Sequence, residues 1–291
     1  VYCTMGPNED NLYEDHRPQQ SADFFAAKIA VLHQHLNLKT LRLTGGEPLL
    51  YKDLPALIQK VKTLGIADIR LTTNGFLLAH NAQLLKNAGL NAVNISLDAV
   101  NEETFYKITG RNKLSQVLRG IDQALASGIS VKLNAVIMKG KNEDQVLPLL
   151  EYACSKGVSV RFLEFMGMGY LHQQEEDLLF PQQEILKRIT GHYEIHRTIR
   201  QKSATANYWH TNKGHHFGII ANESVPFCTD CNRLRLDSKG NLYGCLSVDK
   251  PLAFDEQGTA LHIRHVLQQA MNQKQSDKFT GSALSMLKIG G

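Results

Sequence analysis

Thr40-Leu41-Arg42-Leu43-Thr44-Gly45-Gly46-Glu47-Pro48 alternates polar and apolar side chains over five residues, then breaks on two glycines and a proline. Period-two alternation reads as a strand with one apolar and one polar face. The same pattern recurs twice. Val93, Ile95 and Leu97 oppose Asn94, Ser96 and Asp98, and Val131, Leu133 and Ala135 oppose Lys132 and Asn134. Between and around these strands run helical periods, the first beginning after Ser21 and the others near 53–64, 79–88, 101–108, 113–126 and 143–156. Ser21 is placed to cap the first, whose apolar positions are Phe25, Ile29, Leu32 and Leu36. Further strands fall at 68–72 and 158–165, and Asn74-Gly75 is a turn signal. Strands separated by ten or more helical residues give βαβ units and a parallel sheet, so the fold class is α/β. A parallel sheet buried on both faces is apolar on both. Here one face carries Arg42, Asn94, Ser96, Lys132 and Asn134, which points to a barrel whose polar interior holds a ligand.

Composition excludes several classes. With 43% hydrophobic residues and a net charge of +4 in 291 residues, the chain has the material for a large core and is not disordered. No stretch approaches the roughly 20 apolar residues of a membrane span. The balance of 32 basic to 28 acidic residues suits a small anionic ligand and is too weak for a nucleic-acid binder. Beyond about residue 166 the rhythm fades, and the polar stretch His196 to His216 reads as a long loop or a domain boundary. The expected domains are 1–190 and 191–291.

Five cysteines, Cys3, Cys154, Cys228, Cys231 and Cys245, make a poor disulfide framework and indicate a reducing compartment, the cytoplasm. Cys154 sits in an apolar helical pattern and reads as core. Cys228-x-x-Cys231 can chelate one metal centre, and Cys245 returns across a hairpin turning at Ser238-Lys239-Gly240-Asn241. Two readings fit. A structural zinc would take His215 or His216 as its fourth ligand, and a three-cysteine iron–sulfur cluster would leave one iron open. Spacing alone favours zinc. Arg233 and Arg235 alternate with Leu234 beside the metal, an arrangement suited to phosphate or a purine edge.

Taken in order, Tyr2-Cys3, Thr44 to Leu49, Thr73-Asn74-Gly75, Asn94 to Asp98, Phe227 to Arg235 with Cys245-Leu246, and Gly290-Gly291 resemble the GTP 3',8-cyclase family of radical S-adenosylmethionine enzymes. The resemblance runs over essentially the whole chain. It implies an incomplete (β/α)6 barrel with a smaller C-terminal cluster-binding region, and it turns the cysteine reading from zinc to iron–sulfur. Two [4Fe–4S] clusters and S-adenosylmethionine are the implied cofactors. Cys3 would be the last ligand of the first cluster, its two companions being expected upstream of Val1 in a longer protein. Cys228, Cys231 and Cys245 would hold the second.

Position by position, the resemblance places Tyr2, Gly46, Ser96 and Met166 against S-adenosylmethionine. It places Arg42, Thr73, Lys132, Arg233, Leu234 and Arg235 against GTP, with Arg233, Arg235 and Lys132 as the catalytic group and Gly290-Gly291 as a tail reaching the site. The implied reaction is hydrogen abstraction from the GTP ribose C3' by a 5'-deoxyadenosyl radical, then closure onto guanine C8, the first step of molybdenum cofactor synthesis. The implied partners are GTP, a homodimer mate and the downstream cyclic pyranopterin monophosphate synthase, with no nucleic acid and no membrane. Thr40 and Tyr51 stand where the family commonly carries basic residues. Two alternatives remain on the sequence: a radical enzyme acting on a peptide, and a zinc-stabilised nucleotide-binding module.

Overall fold

The computed structural model describes residues 19–172 and 175–282, so Tyr2, Cys3, Gly290 and Gly291 lie outside the described residues. Strands β1 (Thr40–Leu43), β2 (Asp68–Thr73), β3 (Ala92–Ser96), β4 (Ser130–Ile137) and β5 (Ser159–Glu164) pair in parallel and in sequence order. Then come β6 (Ile195–Arg197), β7 (Asn207–Thr211) and β8 (His216–Ile220). β8 pairs parallel to β5, which gives six parallel strands, and β7 and β6 extend that edge antiparallel. The order β1-β2-β3-β4-β5-β8-β7-β6 leaves β1 and β6 as edges, a curved sheet whose hydrogen bonding does not close. That is the α/β, incomplete (β/α)6 architecture expected.

Helices α1 (Ala22–Leu36), α2 (Leu54–Thr63), α3 (Leu78–Ala88), α4 (Glu102–Thr109), α5 (Leu114–Ala126), α6 (Val146–Ser155), α7 (Glu175–Leu178) and α8 (Gln182–Thr190) fill the connections. Their apolar faces meet one face of the sheet. Val93, Ile95, Leu133 and Ala135 are fully buried there, as the alternation requires. Helix starts follow the sequence: Ser21 Oγ accepts from Phe24 N at 3.2 Å and Asn101 Oδ1 from Thr104 N at 2.8 Å.

The stretch His196 to His216 is only in part a loop. An irregular segment, 198–206, joins β6 to β7, and a turn leads into β8, so the sheet continues across residue 190. Trp209 and Phe217 alternate with His210 and His216, and stacking of the two aromatic rings at 5.7 Å anchors the buried side of the hairpin. Polar composition hid a period of two.

A second apolar cluster joins α1 to the C-terminal region. Leu32 packs with Leu242 of β10 (Leu242–Tyr243), with Phe254 from the segment that follows, and with Ile263, Val266, Leu267 and Ala270 of α9 (Ala260–Asn272). Lys28, on the same helix, is only 5% exposed. Its Nζ donates to Phe254 O at 2.5 Å and pairs with Glu256 at 2.6 Å. A buried ammonium needs such partners, and these hold the C-terminal region to α1. Tyr51 serves the same helix, its hydroxyl donating to Gln20 O at 2.9 Å.

Glu164, 1% exposed at the end of β5, ties three segments together. It accepts from Gln182 N at 2.7 Å at the start of α8, from Glu223 N and Ser224 N at 2.9 Å, and from Ser224 Oγ. Glu164→Ala leaves three backbone N–H groups without their acceptor. It is expected to cost about 3 kcal/mol, read as a lower urea midpoint with unchanged slope. An unchanged midpoint would contradict this strut.

Candidate active site

Strand register sets the polar interior in rows. Arg42 faces Arg70 across β1 and β2; Thr72, Asn94, Lys132 and Ser159 form the next row; Asn134, Arg161, Gly218 and Tyr208 the next. Gly218 is required here, because a Cβ would lie 2.9 Å from Tyr208 Cε1 and 3.2 Å from Arg161 Cγ. Arg161 is 8% exposed, donates to Asn134 Oδ1 at 2.9 Å and is hydrogen-bonded to Tyr208. Lys132 Nζ lies 5.4 Å from the centre of the Tyr208 ring, so the ring face offsets part of its desolvation.

The cations of this interior repel one another. Water reaches Arg42 from the mouth of the barrel, yet the surrounding strands take it out of bulk solvent. Its pKa is pushed down to about 10 by that burial, then by Arg161 and Arg70, with Arg233 adding and only Asp68 opposing. Arg161 is lowered by burial and by Arg70, against Tyr208. Burial would raise Asp68, but bonds from Arg70 and from Thr40 at 2.8 Å hold it below the usual carboxylate range. Thr40, where the family commonly has a basic residue, thus holds the one acid acting on Arg42. All these arginines remain charged at neutral pH, and an anion in the cavity relieves their repulsion.

The loops at the carboxyl ends of the strands frame the mouth. Gly45 has φ 140 with open space where a Cβ would stand, so the backbone at Gly45-Gly46 is open to close approach. Glu47 fixes this ledge: it accepts from Leu49 N at 3.0 Å, Thr73 Oγ1 at 2.6 Å and Asn74 N at 2.8 Å. Thr73 is 3% exposed and its hydroxyl also accepts from Gly75 N, so its side chain sits under the site, committed to the protein. Ser96 is half-buried at the end of β3. Asp98, 5% exposed, accepts from Val136 N at 2.8 Å and is structural.

The C-terminal cysteines converge. Cys228–Asp230 is a short 3-10 turn closed by Cys231 N donating to Cys228 O at 3.1 Å, and none of Cys228, Cys231 and Cys245 is in a disulfide. β9 (Arg235–Leu236) pairs with β10 through the expected turn, bringing Cys245 back. Burial, Cys245 and Cys231 push the Cys228 thiol up; at Cys231 burial is outweighed by Arg233 and Lys274, and the thiol is lowered. Arg233 Nη2 donates to Cys231 Sγ at 3.2 Å, Lys274 Nζ lies 3.7 Å from it, and Ser247 N donates to Cys245 Sγ at 3.5 Å. Arg235 is pushed down to about 10 by burial and Arg233, against Cys245 and Cys231. Leu234 turns its side chain into the α1–α9 core, and Met166 packs in one apolar cluster with Cys228, Leu246, Met168, Tyr243 and Phe279.

The zinc reading loses its fourth ligand. His215 packs on Tyr193 at 4.9 Å and His216 neighbours His210 on the hairpin, and among the described residues no three His, Cys, Asp or Glu side chains close round a single ion. Three thiols met by N–H donors and cations fit a thiolate-held iron–sulfur group, whose ligands bind separate irons.

Comparison with known proteins follows the same division. Residues 1–153 match the profile of the Radical SAM superfamily. The chain belongs to the radical SAM superfamily. Residues 158–280 of this radical SAM chain match Molybdenum Cofactor Synthesis C. Over 225 residues it is 43% identical to the GTP 3',8-cyclases of Staphylococcus aureus strains JH9 and Newman, covering 76% of this chain and 66% of theirs. It therefore spans about two thirds of the length of these curated relatives. In structure it is similar to Streptococcus suis SuiB bound to precursor peptide SuiA, with TM-score 0.65, 14% identity and coverage of 85% of this chain and 58% of that one. It is also similar to native anSMEcpe with bound AdoMet, with TM-score 0.61, 14% identity, and coverage of 94% and 79%. Superfamily membership implies a [4Fe–4S] cluster and S-adenosylmethionine.

Sequence reasoning missed Arg70, Arg161 and Tyr208. The first two carried a readable signal, a charge at an alternate strand position. Tyr208 lay in the stretch taken for a loop. A surface cleft of about 430 Å³ between α6 and α8, lined by Asp144, Glu184, Arg188 and His192 among others, is separate from this constellation.

Because the interior cations are stressed by one another, a polyanion stabilises the fold. Inorganic tripolyphosphate at a hundred times its Kd is expected to raise the unfolding free energy by about 2.7 kcal/mol, and Arg161→Ala to abolish most of that gain. A thermal shift with equal gain in both proteins would show that the anion sits elsewhere.

Proposed function

We propose that this chain forms the catalytic body of a GTP 3',8-cyclase, converting GTP to (8S)-3',8-cyclo-7,8-dihydroguanosine 5'-triphosphate for molybdenum cofactor synthesis. The observation that carries the reading is that Arg233, which donates to Cys231 Sγ at 3.2 Å, also acts on Arg42 of the barrel strands. That supports one ligand reaching from the thiols to the strand cations, as a base bound at one end and a triphosphate at the other would. The curated relatives' name supports the substrate.

Cys228, Cys231 and Cys245 are assigned as the residues that would hold a second [4Fe–4S] cluster, which would supply an open iron site for the guanine end. Arg233 and Arg235 beside it, with Lys132, Arg42 and Arg161 below, hold the triphosphate and orient the ribose. Thr73 contributes by fixing the Glu47 ledge, and Leu234 through its backbone between the two arginines. Gly46, Ser96 and Met166 line the strand ends where S-adenosylmethionine is assigned, and Tyr2 and Cys3 belong to the first cluster loop. When bound, that cluster and S-adenosylmethionine supply the 5'-deoxyadenosyl radical. The protein's own part is to hold the ribose C3' against the radical source and guanine C8 against C3', and to keep water out. The free cysteines suit a cytoplasmic enzyme, and the expected homodimer and the downstream cyclic pyranopterin monophosphate synthase belong to the same reading. A peptide substrate fits the clustered cations less well, since backbone amides offer them no matching charge.

Protein expressed from its full reading frame, reconstituted anaerobically with iron and sulfide, is expected to form 5'-deoxyadenosine from S-adenosylmethionine and reductant much faster when GTP is present. Arg233→Ala removes charge-assisted bonds of about 1.5–3 kcal/mol, so kcat/KM for GTP should fall roughly 10- to 100-fold. Slow 5'-deoxyadenosine formation that ignores GTP would keep the radical fold and discard the substrate.

A further inference from the structure

Asp230, the residue before Cys231, takes no part in any of the roles above, yet its side chain and carbonyl are tied to two residues of a distant segment, Arg200 and Ser203. Arg200 reaches it with both guanidinium prongs, Nη1 to Oδ2 at 3.0 Å and Nη2 to Oδ1 at 2.6 Å. Ser203 N donates to Oδ2 at 2.7 Å and Ser203 Oγ to the Asp230 carbonyl at 2.7 Å. The pair is partly buried, with side chains 25% and 22% exposed. Arg200 is itself oriented by donating Nε to Ala204 O at 3.0 Å. Ser203 stands at φ 62, a left-handed backbone that a non-glycine residue adopts rarely and that these two bonds hold in place. The segment is rooted in the sheet, because Thr198 donates through N and Oγ1 to Tyr208 O at 2.9 and 3.0 Å. Tyr208 is the residue that touches Lys132 and Arg161.

We propose that Arg200, Asp230 and Ser203 form a clamp that pre-organises the Cys228–Cys231 turn for its iron–sulfur cluster, referencing that turn to the same strand that carries Tyr208. The proposal rests on the reading of Cys228, Cys231 and Cys245 as cluster ligands. A turn of four residues has no rigidity of its own. Its one internal bond, Cys231 N to Cys228 O, leaves rotation about both ends free. A two-pronged contact between planar groups fixes distance and orientation together, which one ammonium on a flexible stem cannot do. With Asp230 drawn to the hairpin, Cys228 and Cys231 are left facing Cys245, and Arg233, two residues further on, is set against Cys231. These are positioning residues: they touch neither cluster nor substrate and act by fixing groups that do.

The test compares the full-length reconstituted protein with Arg200→Ala, Asp230→Asn and Arg200→Lys, the last keeping the charge and losing the fork. Amide exchange over residues 227–232 is expected to quicken about tenfold in all three, with protection of β2 to β5 unchanged. Chelator extraction of the iron held by Cys228, Cys231 and Cys245 should quicken about tenfold, as loss of outer-sphere support does at metal centres. The electron paramagnetic resonance signal of that reduced cluster should broaden, a change that general destabilisation does not produce. Exchange within twofold of wild type, quickened exchange with unaltered iron loss, or a rise spread evenly over the chain would each overturn the clamp. Failure of the underlying reading is separately visible: if Cys231→Ser loses no iron, no cluster sits there, and only the clamp's ligand, not its mechanics, has been misassigned.

Discussion

Like charges crowded onto one face of the sheet govern this molecule. Arg42, Arg70, Arg161, Arg233 and Arg235 act on one another across the interior, and Asp68 opposes them at Arg42. Holding cations this way is unfavourable until an anion arrives, so the scaffold must carry the strain. It does so with a helix-backed sheet whose apolar face is closed to solvent at Ile69, Leu71, Val93, Ile95, Leu133 and Phe162. A close-packed support of that kind moves little when charges on its other face repel.

The remaining buried polar groups act as joints. Glu47 ties the first strand's loop to the second strand's end, Asn142 ties Asp98 O to Val136 O at 2.9 Å each, and Glu164 ties β5 to α8 and the segment after β8. Each stands at the carboxyl end of a strand, where the sheet stops supplying backbone partners and irregular chain begins. Unmet N–H and C=O groups there would be costly, so a single fully bonded side chain fixes several loops at once. The site is built on those loops.

Much of this was legible because it is periodic. A two-residue alternation announces a polar strand face whatever the fold, and it placed Arg42 and Lys132 inside before any contact was known. The hairpin β6–β7 escaped because its exposed positions are histidines and arginines, which resemble a loop unless Trp209 and Phe217 are weighed alone. Lys28 escaped because its partners, Phe254 and Glu256, come from more than 220 residues away. Arg200 and Asp230 are thirty residues apart with no shared pattern. Pairings of that kind are settled by topology, and only the folded chain displays them.

The choice of arginine follows from the same constraint. Burial and like charge bring Arg42 and Arg235 down to about 10, still well above neutral pH. A lysine starts lower than an arginine, so the same surroundings would bring it closer to losing its charge. The ammonium of Lys132 meets an aromatic face here, its Nζ standing over the Tyr208 ring. Lys274, lowered by burial, is held up instead by Cys231, the thiol it faces. The arginines keep their charge by their own chemistry, whereas Lys274 keeps beside it a thiol that favours its charged form.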